Sequence, residues 1–213
     1  VERSDVSIHD GPLSTREAQD AALVAARAFH TDPFFAFLSP KALPRARGLA
    51  LYNHALLRSL PSTAKLLTAR RDGRIVGVGA WVPPGAYPYA LSVQLRQSLG
   101  ALRALYRVPP SLVTGTRYLA AIDKAHPKEP LWYLQLLVCD PEHQRTGVGA
   151  ALQEEVLARC DADGVGAYLE TQKEDNLAYY RRFGYEVVTT LTPVRDGPPL
   201  WAMRREPRAA PAA

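Results

Sequence analysis

Residues 131–160, LWYLQLLVCDPEHQRTGVGAALQEEVLARC, constrain this chain more than any other stretch. A strongly apolar segment, LWYLQLLVC, ends in a turn at Asp140-Pro141, and two glycines, Gly147 and Gly149, then stand at the mouth of a helix. Glycine weakens helices, so a pair of them there needs a reason. The run Gln144-Arg145-Thr146-Gly147-Val148-Gly149 can present successive backbone N–H groups at the positive end of the helix dipole. That suits a pyrophosphate, with the glycines keeping Cβ atoms out of its way. The plainer alternative is that they relieve a crowded helix–sheet contact. Other phosphate-binding loops fit less well: there is no Gly-Lys-Ser/Thr ending, and Leu152 stands at the third glycine of the dinucleotide fingerprint.

An anionic ligand also agrees with the charge. The chain carries 26 Lys and Arg against 21 Asp and Glu, and these are scattered rather than gathered into a basic block, so a cofactor accounts for the excess and nucleic acid is not expected. With 213 residues, 47% of them hydrophobic, the chain suits one globular domain over 1–206. Its two cysteines, Cys139 and Cys160, make neither a disulfide framework nor a Cys-x-x-Cys pair, which fits a reducing cytoplasm. Cys139 reads as a small hydrophobe rather than a nucleophile. The five histidines lack ligand spacing, so no metal is expected. No apolar run approaches 18 residues and the N-terminus lacks signal-peptide character, so no membrane is expected either. The Pro/Ala-rich tail 207–213 reads as frayed.

Around residues 131–160 the pattern alternates. A short strand at residues 6–8 precedes Ser14-Thr15-Arg16-Glu17, a capping box opening an Ala-rich helix that stops near Pro33. Ser39-Pro40 reads as the N-cap and first position of a second helix, ended by Pro61. Asp72-Gly73 marks a tight antiparallel hairpin. Residues 83–130 read as an inserted substrate cover with two helices, in the first of which Leu91, Leu95, Leu99, Leu102 and Tyr106 recur at helical spacing. After the glycine turn come strand GAYLETQ, short helix DNLAYYRRF, strand YEVVTTL, a turn at Asp196-Gly197 and strand PLWAMRR. Strand–helix–strand implies a parallel pair and the hairpins imply antiparallel ones, so the sheet is mixed.

The glycine turn and the segment NLAYYRRFGY together resemble the Gcn5-related N-acetyltransferase (GNAT) superfamily, whose acetyl-CoA loop reads Gln/Arg-x-x-Gly-x-Gly/Ala. The last 90 or so residues are further similar to puromycin N-acetyltransferase and related actinobacterial enzymes; Thr146 departs from the basic residue or glycine frequent there. The resemblance implies an α/β three-layer fold with a central mixed, mostly antiparallel sheet of about seven strands flanked by helices. It implies that the amides of residues 144–149 hold the CoA pyrophosphate, and that the strand at Leu136, Leu137 and Val138 pairs with the pantetheine arm. One amide there polarises the thioester carbonyl. Asn176 matches a cofactor contact and Tyr180 the general acid that protonates the departing thiolate.

Each assignment has a rival. Tyr180 also suits a core aromatic, though Tyr179 can fill that place. Asn176 also suits a helix cap, as does Asp175. Glu170 is the candidate for receiving or orienting the substrate ammonium, against a structural bridge to an Arg or a water chain that removes the proton. Arg145, Arg181 and Arg182 suit either a solvated face or the cofactor phosphates. The expected activity is acetyl transfer from acetyl-CoA to the amine of a small molecule, with an aminonucleoside antibiotic among the acceptors, by a monomer or homodimer. Protein N-terminal or lysine acetylation, a non-catalytic acyl-CoA-binding module and a nucleotide-dependent dehydrogenase are the rivals.

Overall fold

The computed structural model describes residues 6–105 and 109–208. Strand β1 (Ser7–Asp10) leads to helix α1 (Thr15–Ala28), which opens on the expected capping box: the Ser14 hydroxyl accepts from the Glu17 N–H, and the Glu17 carboxylate accepts from the Ser14 N–H at 2.9 Å. The proline that ends this helix also starts another. Asp32 accepts from the N–H groups of Phe34 and Phe35, and with Pro33 in the first turn a six-residue helix, α2 (Pro33–Leu38), follows. This short helix was not expected, and it displaces the next start. Ser39 closes α2 with its N–H and gives its carbonyl to Arg45, so α3 (Ala42–Ser59) begins after Lys41 rather than at Ser39-Pro40.

Strands β2 (Lys65–Arg71) and β3 (Arg74–Val82) form the expected hairpin, with Asp72 and Gly73 both at positive φ. Two helices follow, α4 (Leu91–Leu105) and α5 (Pro109–Ala125). Tyr106 lies outside the described residues. The leucine stripe is helical but points outward: Leu91, Leu95, Leu99 and Leu102 are 49–70% exposed. The opposite side of α4 meets α3 so closely that a Cβ on Gly100 would lie 2.2 Å from the Ala55 Cβ. Then come β4 (Trp132–Cys139), α6 (Val148–Asp163), β5 (Ala167–Thr171), α7 (Asp175–Arg181), β6 (Tyr185–Leu191) and β7 (Leu200–Arg205).

All seven strands join one sheet in the order β1-β2-β3-β4-β5-β7-β6. Among the described residues only β4 and β5 pair in parallel, across the α6 crossover. Leu152, Val156 and Cys160 of α6 pack on one face with Leu67, Trp81 and Leu169. Ala21, Ala22 and Ala25 of α1 and Leu57 of α3 cover Leu66, Val78 and Leu136 on the other. The tail is fastened further than expected. Arg205, almost fully buried, and the Arg208 N–H each meet the Asp161 carboxylate at 2.7 Å; residues 209–213 lie outside the described residues.

Helix α6 lies close on β3 because that strand has glycines beneath it. A Cβ on Gly77 would sit 2.5 Å from Val148 Cγ1, and Val148, β-branched in a helix, has little rotamer freedom to yield. Gly77→Ala should therefore cost about 1–3 kcal/mol, read as a lowered urea midpoint at unchanged slope. An unchanged midpoint would mean that the close approach is not required.

Candidate active site

The site begins with a defect in the sheet. Opposite β3, Leu136 pairs with Ala80 and Leu134 with Trp81, so Gln135 is an extra residue, a β-bulge. The bulge exchanges the faces of β4: Leu136 and Val138 pack under α1, whereas Leu134 and Trp132 pack under α6. Pairing with β5 covers only Trp132 with Ala167 and Tyr133 with Tyr168. Beyond that point the two strands part, leaving one backbone edge of residues 134–139 without a strand neighbour among the described residues. Backbone donors and acceptors need partners. A ligand carrying amides can supply them.

Past this edge lies the glycine turn. Asp140 caps a single 3-10 turn at Pro141–His143, accepts from the Glu142 N–H and is bound by the Arg27 guanidinium from α1. The Thr146 hydroxyl donates to the His143 carbonyl at 2.7 Å and closes the loop. Arg145 and Gly147 both have positive φ, and Gly147 is the N-cap of α6 with no side-chain hydrogen bond to the first-turn amides. Those amides suit an anion. The two glycines serve different ends. A Cβ on Gly147 would meet nothing within 4 Å, so that position is glycine for its left-handed backbone and leaves open space. A Cβ on Gly149 would lie 2.6 Å from the Tyr179 hydroxyl, so Gly149 makes room for the protein's own side chain rather than only for a ligand.

Tyr179 is tied down there. Its oxygen accepts from Gln153 Nε2 at 2.9 Å, Arg182 lies over its ring, and burial pushes its phenol up to about 12. Its neighbour Tyr180 turns the other way, into a cavity of about 1360 Å³ between the insertion helices and the parted strands. Burial, and then Tyr179, hold the Tyr180 phenol well above its ordinary range, so it stays protonated at neutral pH. Asn176, inside α7 rather than at its cap, donates from Nδ2 to Thr171 Oγ1 at 3.0 Å, which fixes its amide. Leu136, Leu137, Glu170, Asn176 and Tyr180 all line the cavity. Val138 and residues 144–149 do not. They continue from the cavity along the free strand edge to the glycine turn.

Several lining residues were not singled out from the sequence. His126, at the end of α5, places Nδ1 3.7 Å from Glu170 Oε1, and Tyr87, Tyr133 and Tyr168 surround its ring at centroid distances of 4.0, 4.8 and 4.9 Å. Phe34, Phe35, Tyr52 and Tyr118, from α2, α3 and α5, form an aromatic far wall. The signal in the sequence that could have found this wall is the aromatic richness of residues 28–38, with Tyr87 and Tyr89 after the hairpin. Neither cysteine competes for the chemistry: burial pushes Cys139 up to about 11 and Cys160 up to about 12, so both are thiols at neutral pH. Among the described residues, no cluster of His, Cys, Asp and Glu suits a metal ion, and no helix is long and apolar enough to cross a membrane.

A bulged strand parted from its parallel neighbour, ending in an anion-receptive turn, fits a long thin thioester with a diphosphate at one end. The sequence profile of the Acetyltransferase (GNAT) family matches residues 25–185. The chain belongs to the GNAT acetyltransferase family. It is therefore an acyltransferase, moving acetyl from acetyl-CoA to an amine. Solved structures share the fold. One, described as histone acetyltransferase HPA2 and related acetyltransferase from Corynebacterium glutamicum, is 23% identical with a TM-score of 0.65, covering 97% of this chain and 99% of that one. The ribosomal-protein-S18-alanine N-acetyltransferase of Escherichia coli is 16% identical at TM-score 0.54, covering 96% and 97%. A Drosophila melanogaster polyamine N-acetyltransferase that forms N-acetylagmatine is 17% identical at 0.56, covering 94% and 100%.

The role of Gly149 can be tested by a change of sign. Alanine inside a helix normally stabilises by about 0.5–1 kcal/mol over glycine, but Gly149→Ala should destabilise because its methyl meets the Tyr179 oxygen. In a Tyr179→Phe background the same substitution should become neutral or stabilising. A double-mutant cycle in urea measures the coupling, and additive effects would contradict the contact.

Proposed function

We propose that the chain acetylates the amine of a small molecule with an apolar or aromatic body, taking the acetyl group directly from acetyl-CoA. The observation that carries this reading is the cavity itself. It joins the parted β4 edge, the Tyr180 phenol and the Glu170 carboxylate to an aromatic wall from α2, α3 and α5. Its volume of about 1360 Å³ exceeds the roughly 300–1,000 Å³ of an ordinary small-molecule site, as befits two substrates held together. Holding amine and thioester carbonyl in contact removes much of the entropic barrier.

In this reading acetyl-CoA supplies the activated acyl group, and residues 144–149 hold its diphosphate. Amides of the free β4 edge at Leu136, Leu137 and Val138 hold the pantetheine arm, and one of them faces the carbonyl oxygen as it gains charge. Asn176 contacts the cofactor with an amide that Thr171 has already oriented. Tyr180 gives its proton to the leaving sulfur. Glu170, buried in an otherwise aromatic corner, receives the ammonium.

The lining favours a single ammonium over a polycation. Lys41, Arg45, Arg47, Arg103 and Lys128 border the cavity against Asp32, Asp123 and Glu170, so further positive charges on an acceptor are repelled. An aminonucleoside carrying an aromatic amino-acyl group has the required form, one amine beside a ring. Free CoA release should be followed with puromycin, 2-phenylethylamine, spermidine, agmatine and a short peptide. The first two should give the higher kcat/KM, and preference for spermidine or the peptide would contradict this acceptor class. Tyr180→Phe should lower kcat by about 10²-fold while acetyl-CoA binding stays the same. Full activity in that variant would remove Tyr180 from the chemistry.

A further inference from the structure

The corner where Glu170 meets the insertion holds two polar atoms that no described residue satisfies. The side chains of His126 and Glu170 are 8% and 4% exposed, and among the described residues His126 Nδ1 and Glu170 Oε1 are both buried without a hydrogen-bond partner, while the Tyr133 and Tyr168 hydroxyls bear on the same carboxylate group. Their 3.7 Å separation is too long for a direct hydrogen bond. Buried polar groups of this kind are costly unless something satisfies them, and both residues line the cavity. One small donor group reaches both. An ammonium has three N–H bonds, enough to give one to the carboxylate, one to the imidazole lone pair and keep one.

We propose that His126 is the proton acceptor that activates the amine, with Glu170 holding the ammonium and then stabilising the imidazolium beside it. The proposal rests on the acceptor reading given above. One ammonium proton moves to Nδ1, the other imidazole nitrogen having carried the ring proton beforehand, and the amine lone pair is freed. The nitrogen–carbon bond to the acetyl carbonyl forms and the carbon–sulfur bond breaks. Sulfur takes the Tyr180 proton, and the surplus proton on nitrogen returns to the Tyr180 phenolate. The third proton remains on the amide. The imidazolium releases its proton to solvent after the products leave, so the net yield is amide, CoA thiol and one proton.

The surroundings suit this role. Glu170 and Tyr168 come from β5, Tyr133 from β4, Tyr87 and Tyr89 from the segment after β3, and Asp123 of α5 hydrogen-bonds Tyr87. Burial, chiefly, holds all four phenols above their ordinary range, so they stay neutral while the imidazole changes charge. The T-shaped rings of Tyr133 and Tyr168 and the tilted ring of Tyr87 fix the plane of His126.

The test is the pH dependence of kcat/KM with puromycin and 2-phenylethylamine, read by CoA release, in wild type, His126→Asn and Glu170→Gln. Wild type should keep its activity at pH values where the free amine is already protonated. Glu170→Gln should lower kcat/KM for both amines by weakening the hold on the ammonium. His126→Asn should lower kcat by about 10²-fold, leave acetyl-CoA binding intact, and follow only the ionisation of the free amine. A His126→Asn enzyme with the wild-type profile overturns the proposal while leaving the acceptor reading standing. No CoA release by wild type with any amine overturns both. A measurement on wild type alone covers a variant that fails to fold: puromycin added with CoA should shift the His126 ring resonances in NMR, and unmoved resonances overturn the proposal.

Discussion

The parting of β4 from β5 is the constraint on which the rest of this structure depends. Parallel pairing lasts for two residue pairs and stops at Tyr133 and Tyr168. A bulge at Gln135 turns β4 away while its other edge stays paired with β3 as far as Cys139. A sheet cannot leave a backbone edge idle in a protein interior without cost, so the gap is held open from both sides. Helix α6 crosses it and rests on the glycine-lined face of β3, and Arg27 on α1 holds Asp140 where the strand turns out. The same strand thus serves as core element, open backbone edge and lead into the anion-receptive turn.

Around that gap the polar and apolar roles are sorted by depth. The outer lining carries more basic than acidic side chains, whereas the deep corner holds a carboxylate, an imidazole and neutral phenols. Tyrosines serve both purposes. Tyr179 and Tyr180 are adjacent, yet one is committed to Gln153 and the back of α6, and the other faces the cavity. Their separation follows from helical geometry, in which neighbours point about 100° apart. Gly149 is what allows the first to pack, and so positions the second.

Much of this was legible in the sequence, because it rests on local signals. The capping box at Ser14 and Glu17, the Asp72-Gly73 hairpin and the glycine turn at the mouth of α6 are each set by a few neighbouring residues. Leu136, Leu137, Asn176 and Tyr180 were chosen from a family resemblance and Glu170 from its charge on the next strand, and the fold brings all five to one cavity. What was missed depends on distance or on competition. The Asp32-Pro33 pair stops one helix and starts another, and only the stop was read. Leucine spacing on α4 gave the helix but not which side faces inward, since Gly100, rather than the stripe, meets α3. His126 carried no signal of its own. Its meaning comes from Glu170, which chain topology alone brings beside it.

Hydrogen–deuterium exchange with and without acetyl-CoA addresses the free strand edge most directly. Bound acetyl-CoA should slow exchange in peptides covering residues 134–139 and 144–149, leaving the two outer strands of the sheet, β1 and β6, unchanged. Protection confined to other segments, or the same exchange along β4 in the presence of saturating acetyl-CoA, would contradict the account.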